Sequence, residues 1–557
     1  MNLTDGFPGK TVAHSRRRAL AVGASGAVAL AAAYLAAPGL SQPQPPRRVS
    51  LRDFGGRGDG RSDETRAFQR ACDALSSGGS LEVPPGTYWV DRVIVRHRGI
   101  RVALADGAVL RKSGQAGPES RGIFELDGLH DAAFELRGGV IDLNGEGPQG
   151  IGAAGRIRNL YAPHTVATVV GIAGPVNAAV FARRSSGIAV RDCTIRNSGE
   201  NGLLFRNCGA VEVHGCRFEN LANWGIEYSF VAGNRDGGSG PRPRVGGCAV
   251  SGCSFQDIDD LALGTGNGVG IGGGGARGMG AFRDYRISDC SFLRCKGDIH
   301  FEFEQGSWID GLTIARVRST EARQGSLGLI SVRNALVEDY TVIDPGAAAF
   351  ALLIPERPEV FGIALSSGFD NVTLRNVTVR DTRSGRQVGG GGLRASRGGA
   401  RAVVPSGPFV AADEGAWIGI AGANPRGVAY LGKVRRVISP REVELDPPVG
   451  AGVAAARFAL GGATRNGIIL TAGEDVAFDN VAIEAGAAAD PASRAEAAAI
   501  RMYKVGGRVS FERTTIRAPS GRGEKAVGIR ISDSTAELTG LERTTVSGYA
   551  SRVARIR

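Results

Sequence analysis

The sequence predicts an all-β fold, one chain wound into a single-stranded parallel β-solenoid, and three observations carry that prediction. One pattern recurs in constant order: an apolar residue, two positions, Cys or another small apolar residue, one position, then Val, Ile or Phe. It occupies Val190/Cys193/Ile195, Val213/Cys216/Phe218, Val250/Cys253/Phe255 and Ile287/Cys290/Phe292. Weaker copies follow at Ile309/Leu312/Ile314, Val337/Tyr340/Val342, Leu374/Val377/Val379, Phe478/Val481/Ile483 and Phe511/Thr514/Ile516. The four cysteines are 23, 37 and 37 residues apart, a common unit with insertions, as expected when each turn hides its apolar side only against its neighbours. Glycine is frequent (85 of 557 residues) and aromatics are sparse (6%), which suits tight corners between short strands.

Apolar residues make up 42% of the chain and charges of both signs are dispersed, which excludes wholesale disorder. The net charge of +12 would attract a polyanion such as an acidic polysaccharide. No Lys/Arg block or interleaved aromatic platform points to nucleic acid. At the N-terminus, Ser15-Arg16-Arg17-Arg18-Ala19-Leu20 precedes an Ala/Gly/Val/Leu stretch to Ala37 and a Pro-rich segment. This resembles a twin-arginine export signal with processing near Ala37 or Ser41, and assigns 1–41 to export. It implies the twin-arginine machinery as a partner and a periplasmic or extracellular location, retention of the segment as an anchor being the alternative.

Eight cysteines in an exported chain would ordinarily suggest disulfides. Here Cys193, Cys216, Cys253 and Cys290 hold one place in the repeat, so stacking makes them a column of buried neighbours at roughly the 4.8 Å strand spacing. Small, soft thiols suit such a column, and Cys248, equivalent to Val211, is also expected inside. The expectation is therefore buried free thiols.

The elements follow in order. Asp53–Thr65 leads into a helical pattern at about 63–76, with Ser62 or Asp63 as cap and acidic residues in the first turn. Phe68, Ala71, Cys72 and Leu75 form its apolar face. Gly78-Gly79 ends it, and Ser80–Val83, Pro84-Pro85-Gly86 and the residues after them read as strand, turn and strand. The segment VSLRDFGGRGDGRSDETRAFQRACDAL…GGSLEVPPGTYWV resembles the opening of pectate lyase superfamily proteins related to family 28 glycoside hydrolases. That resemblance implies a right-handed parallel β-helix whose N-terminal end is plugged by this helix. Arg57-Gly58-Asp59 lies within the turn, where a structural role outranks an adhesion motif.

Coils are expected over 48–395, with loops at 112–122, 144–175, 231–246 and 272–283. Residues 397–460 break the pattern with short strands and Gly/Pro turns, and resemble a small β-rich module inserted in polysaccharide-active β-helix proteins. Coils resume for 461–557, from Asn466-Gly467-Ile468 to about 546, and end in a capping strand or frayed tail at Ser547–Arg557.

After each repeat comes a second strand: Gly202–Phe205, Gly225–Tyr228, Leu261–Leu263 and Ile299–Phe303. Alternation puts Ile226, Tyr228 and Phe230 inside and Glu227 outside; likewise Ile299, Phe301 and Phe303 inside, and Asp298, His300, Glu302 and Glu304 outside. Just before these strands, Glu200, Asn223, Asp260 and Asp298 fall into a column. In family 28 hydrolases the catalytic carboxylates lie at such positions. Asp259-Asp260 resembles that family's Asp-Asp element, and Gly266-Asn267-Gly268 its Gly-His-Gly element with Asn in place of His. The two are only a few residues apart rather than a coil apart, and no Asn-Thr-Asp motif is present.

Catalytic candidates are therefore Glu227, Asp259, Asp260, Asp298, His300 and Glu302. Glu200, Arg206, Asn223, Trp224, Asn267 and Glu304 are candidates for substrate contact, Trp224 as a sugar-stacking platform. Two carboxyls on one face can act as acid and base; His300 with Arg206, Arg235 or Arg277 would instead favour β-elimination on a uronan. The expectation is an exported enzyme that hydrolyses an acidic polysaccharide. A lyase or uronate epimerase, and a non-catalytic glycan-binding or envelope-structural solenoid, are the alternatives. No cofactor is assigned: carboxylate columns can hold Ca²⁺, but no loop carries a calcium spacing. Homo-oligomerisation, common among long β-helices, has no direct sign in the sequence.

Overall fold

The computed structural model describes residues 47–113, 120–144, 178–198, 200–230, 246–258, 268–346, 360–383, 386–424, 429–486, 497–519 and 526–556. Most of them wind into a parallel β-helix with three sheets. One coil runs through Gly209–His214 in the first sheet, Arg217–Leu221 in the second and Trp224–Phe230 in the third. Each strand pairs in parallel with its counterparts one coil before and one coil after. Parallel crossovers of this kind are right-handed.

The repeat motif marks the corner between the first and second sheets. Asp192, Gly215, Gly252 and Asp289 take φ values of 56°, 63°, 63° and 56° there, the left-handed region that Gly and Asp tolerate. The next residue is in every case a repeat cysteine, and Cys193, Cys216, Cys253 and Cys290 are each at most 2% exposed. Their thiols lie in register, with Cys216 Sγ donating to Val190 O (3.5 Å) and Cys253 Sγ to Val213 O (3.8 Å). All eight cysteines are free and buried, and Cys248 pairs with Val211 as expected. Two residues beyond the thiols, Phe218, Phe255 and Phe292 stack at centroid separations of 4.7 and 4.8 Å. The weaker copy at Ile309/Leu312/Ile314 is out of register. Ile314 pairs with Ile287, so Val317 follows Cys290 and Ser319 follows Phe292 in the columns.

The plugging helix is Thr65–Ala74, shorter than expected and without acidic residues in its first turn. Asp63 Oδ1 accepts from Thr65 N (2.9 Å). Glu64 is instead buried and accepts the backbone N–H groups of Arg57 (2.9 Å) and Gly58 (3.3 Å), clasping the turn that holds Arg57-Gly58-Asp59. Phe68 meets Tyr88 edge-on and Phe124, sealing the end of the core.

A closed six-stranded antiparallel barrel spans Gln387–Gly461. It starts before position 397, because Gln387–Ala395 pairs with Val453–Gly461 rather than with a coil. Trp417 of the barrel lies between Arg323 and Lys433, each 5.1 Å from its ring, and Lys433 ion-pairs with Glu321 of the coils. The last strand, Ser551–Ile556, pairs with Val527–Ser532 and caps the third sheet. The export segment 1–41 and the loops expected at 144–175 and 231–246 fall almost wholly outside the described residues. The loop expected at 272–283 is corrected: Val269–Gly275 and Gly280–Ser288 are strands.

Chain insertions concentrate at one corner. Segments 114–119, 145–177, 259–267, 347–359 and 487–496, and the barrel, all separate a second-sheet strand from a third-sheet strand. In sequence, insertions of a solenoid commonly gather at one such junction, often beside the binding face.

Candidate active site

On the third sheet the outward positions form columns. One runs Leu204, Glu227, Gly272, His300, Gly328. The column two residues further along runs Arg206, Ser229, Gly274, Glu302, Ile330. Ile226, Tyr228, Phe230, Ile299, Phe301 and Phe303 fill the core from the same strands, so strict alternation forces Glu227, His300 and Glu302 outward. Between Glu227 and His300 stands Gly272, which presents no side chain. Glu227 and His300 are thus two strands apart, about 9.6 Å between backbones.

Glu227 sits low on this face. Asn201 Nδ2 donates to its Oε2 (2.8 Å), while Asn201 Oδ1 accepts from Trp224 N (3.2 Å), so one amide fixes both residues. Burial holds the Glu227 carboxyl above the ordinary glutamate range, opposed by the Arg206 charge and the Asn201 hydrogen bond. His300 and Glu302 stand higher: their side chains are 32% and 64% exposed, and His300 Nε2 lies 3.5 Å from Glu302 Oε2. A Cβ on Gly272 would lie 2.6 Å from Trp224 Cζ3, and one on Gly328 would lie 2.5 Å from His300 Nδ1. The Trp224 ring therefore crosses Gly272, and the imidazole leans over Gly328. The Trp224 ring thus lies over the glycine strand, with a carboxyl raised by burial on one side and a His–Glu pair on the other.

The family model for rhamnogalacturonase A/epimerase, pectate lyase-like proteins matches residues 48–113, the plugged N-terminal coils. The chain folds as a parallel β-helix whose N-terminal coils match a pectate lyase-like family model. No curated protein sequence matches it. Among solved structures, the Streptococcus pneumoniae surface adhesin PfbA is similar at 12% identity, with 92% of this chain and 93% of that chain covered and a TM-score of 0.44. The Yersinia enterocolitica family 28 exopolygalacturonase is similar at 15% identity, with coverages of 91% and 77% and a TM-score of 0.41. The A-module of the Azotobacter vinelandii mannuronan C-5 epimerase AlgE4 is similar at 12% identity, with coverages of 91% and 100% and a TM-score of 0.32.

In this β-helix protein Asp298 is not on the outer wall. It is fully buried and hydrogen-bonded by Ser319 Oγ. Its column is Gly202, Gly225, Gly270, Asp298, Ser326. At those glycines a Cβ would strike Phe218, Phe255 and Phe292 of the following coil. Where the phenylalanine ladder gives way to Ser319, an aspartate fits inward, and desolvation pushes its carboxyl up to about 7. Glu200 and Asn223 do align, Asn223 Nδ2 donating to Glu200 Oε2 (3.4 Å), but the column continues through Gly268 and Lys296, not Asp298.

Glu200 and Arg206, expected to contact substrate, are 4% and 8% exposed, and Arg206 acts on Glu227 through its charge. Glu304 is exposed and accepts from Arg277 N (3.0 Å) at a turn. Asp259, Asp260 and Asn267 lie outside the described residues, as does the proposed strand Leu261–Leu263. The strand that pairs with Trp224–Phe230 is Val269–Gly275, the place expected for Leu261–Leu263. Asn201 and Gly272 were missed. The run Gly272–Gly275 was the signal, since Gly272 and Gly274 at its outward positions present no side chain.

Proposed function

We propose that this protein cleaves a polysaccharide at the slot between Glu227 and the His300–Glu302 pair, by hydrolysis. The observation that carries the reading is the pairing of Glu227 with His300 across Gly272. In it, Glu227, whose proton burial favours, gives that proton to the glycosidic oxygen as the bond breaks. His300 and Glu302, more exposed, take a proton from the attacking water. A separation of two strands, about 9.6 Å between backbones, leaves room for that water between acid and base. The Trp224 ring supplies a face for a sugar. The net charge and the family described by the matching model favour an acidic glycan. Export through the twin-arginine signal belongs to this reading, since it delivers the folded chain to such a substrate.

Incubation with acidic and neutral glycans tests it. New reducing ends without unsaturated uronate, with inversion at the anomeric carbon, are the expected products. Ultraviolet absorbance from an unsaturated uronate would replace hydrolysis by elimination, and a changed uronate configuration without cleavage would mean epimerisation. Glycan binding with no product would make the chain a binding solenoid.

A further inference from the structure

All eight cysteines of the chain are free, and none is more than 2% exposed. Seven of them lie between Cys193 and Cys295, in the coils that also carry Glu227 and His300. Each of the four column thiols lies within 3.2–3.4 Å of the carbonyl oxygen two residues before it, which accepts the thiol proton. Cys208 Sγ donates to Arg206 O in the same way (3.3 Å), and Cys295 Sγ donates to Phe255 O of the preceding coil (3.7 Å). Burial pushes the thiols of Cys72, Cys208 and Cys248 up to about 12. The thiolate is the form that attacks a disulfide, so these groups are inert while the coils hold together.

The column also offers no disulfide. Cysteines stacked in register on parallel coils keep their β-carbons near the strand spacing of about 4.8 Å. A disulfide brings those carbons to roughly 3.5–4.5 Å, so joining two members of the column requires the backbone to move. An open chain lacks both protections. Cys248 and Cys253 are five residues apart, as are Cys290 and Cys295, and loops of about ten residues close within roughly 10–100 ns. Eight cysteines can be paired completely in about 105 ways, and the native fold contains no disulfide at all. With oxidised glutathione as oxidant, each crosslink converts two protein thiols and one glutathione disulfide into one protein disulfide and two glutathione thiols.

We propose that this chain reaches its native fold only with its thiols reduced, and must finish folding before it meets an oxidising compartment. Oxidation of the open chain ties together the very coils that build the proposed site. Once formed, the same coils shut the oxidant out. Export of an already folded chain then becomes a requirement; that last step alone rests on the proposed twin-arginine route.

The native protein is held with oxidised glutathione, and its remaining thiols are counted by alkylation and mass after denaturation. It should lose them at least about a hundredfold more slowly than the chain unfolded in guanidinium chloride, as the difference in thiolate fraction requires. The chain oxidised while unfolded should not regain its cooperative melting transition on dilution, and dithiothreitol should restore it to the level of a chain unfolded without oxidant. In cells, a signal that delivers the chain unfolded replaces residues 1–41. Folded protein should then accumulate in the periplasm of a strain lacking the thiol oxidase and be lost from its parent as crosslinked species. Native thiols that oxidise as fast as unfolded ones, an oxidised chain that refolds, or equal accumulation in the two strains would overturn the proposal. None of these results depends on glycan turnover, so the proposed cleavage stands or falls separately.

Discussion

Glu227 owes its chemistry to Asn201 and Arg206, both of which favour its charged form against burial. Removing either raises the carboxyl further. Since a general acid works while protonated, the alkaline limb of the pH–rate profile should move to higher pH in Asn201→Ala. A limb that stays in place would show that another group sets it. Asp298 gives a second prediction of definite sign. Its carboxyl titrates at about 7 in the fold and near 3.8 in the unfolded chain. Between about pH 4 and pH 7 the folded state holds the extra proton, so stability falls as pH rises through that window and levels off above it. The penalty is on the order of 4 kcal/mol at full burial. Asp298→Asn removes it, so the variant should melt higher than wild type at pH 8 and lose the slope. A lower melting temperature at pH 8 would contradict the buried neutral acid.

At the scale of strands and corners, each coil is stabilised by the two beside it. Phe255 stacks on Phe218 and Phe292 in the core, so Phe255→Ala should cost about 3–5 kcal/mol, read by chemical denaturation. A loss below about 1 kcal/mol would mean the ladder does not bear on stability. The same ladder explains what the sequence hid. The cysteine repeat announced the stacking because thiols recur at one position beside left-handed Asp and Gly corners. Alternation then oriented Glu227, His300 and Glu302, which lie mid-strand. It failed at Asp298, which lies at a corner, where inward room depends on Ser319 of the next coil. It failed also at Leu261–Leu263, because an apolar run of the right length stood in for the glycine strand Val269–Gly275. Such a strand has neither hydrophobic periodicity nor β-propensity to reveal it, and pairing with its neighbours is what forms it.

Across the whole molecule, the outer face of the third sheet carries Glu227, His300 and Glu302, and the barrel docks on the coils through Trp417. The proposed function has the chain meet its polymer outside the cytoplasm. Replacing Arg16 and Arg17 by Lys should therefore keep it in the cytoplasmic fraction, and unchanged export would contradict the twin-arginine reading. The slot between Glu227 and His300 is the element on which the functional reading turns. The most direct test is the turnover number of Glu227→Gln on the glycan that the wild-type protein degrades, with the melting temperature as the control for folding. The predicted result is a fall of about 10²–10⁴-fold, the contribution of a positioned acid, at unchanged or raised melting temperature. Wild-type turnover in a folded Glu227→Gln protein would contradict the proposed site.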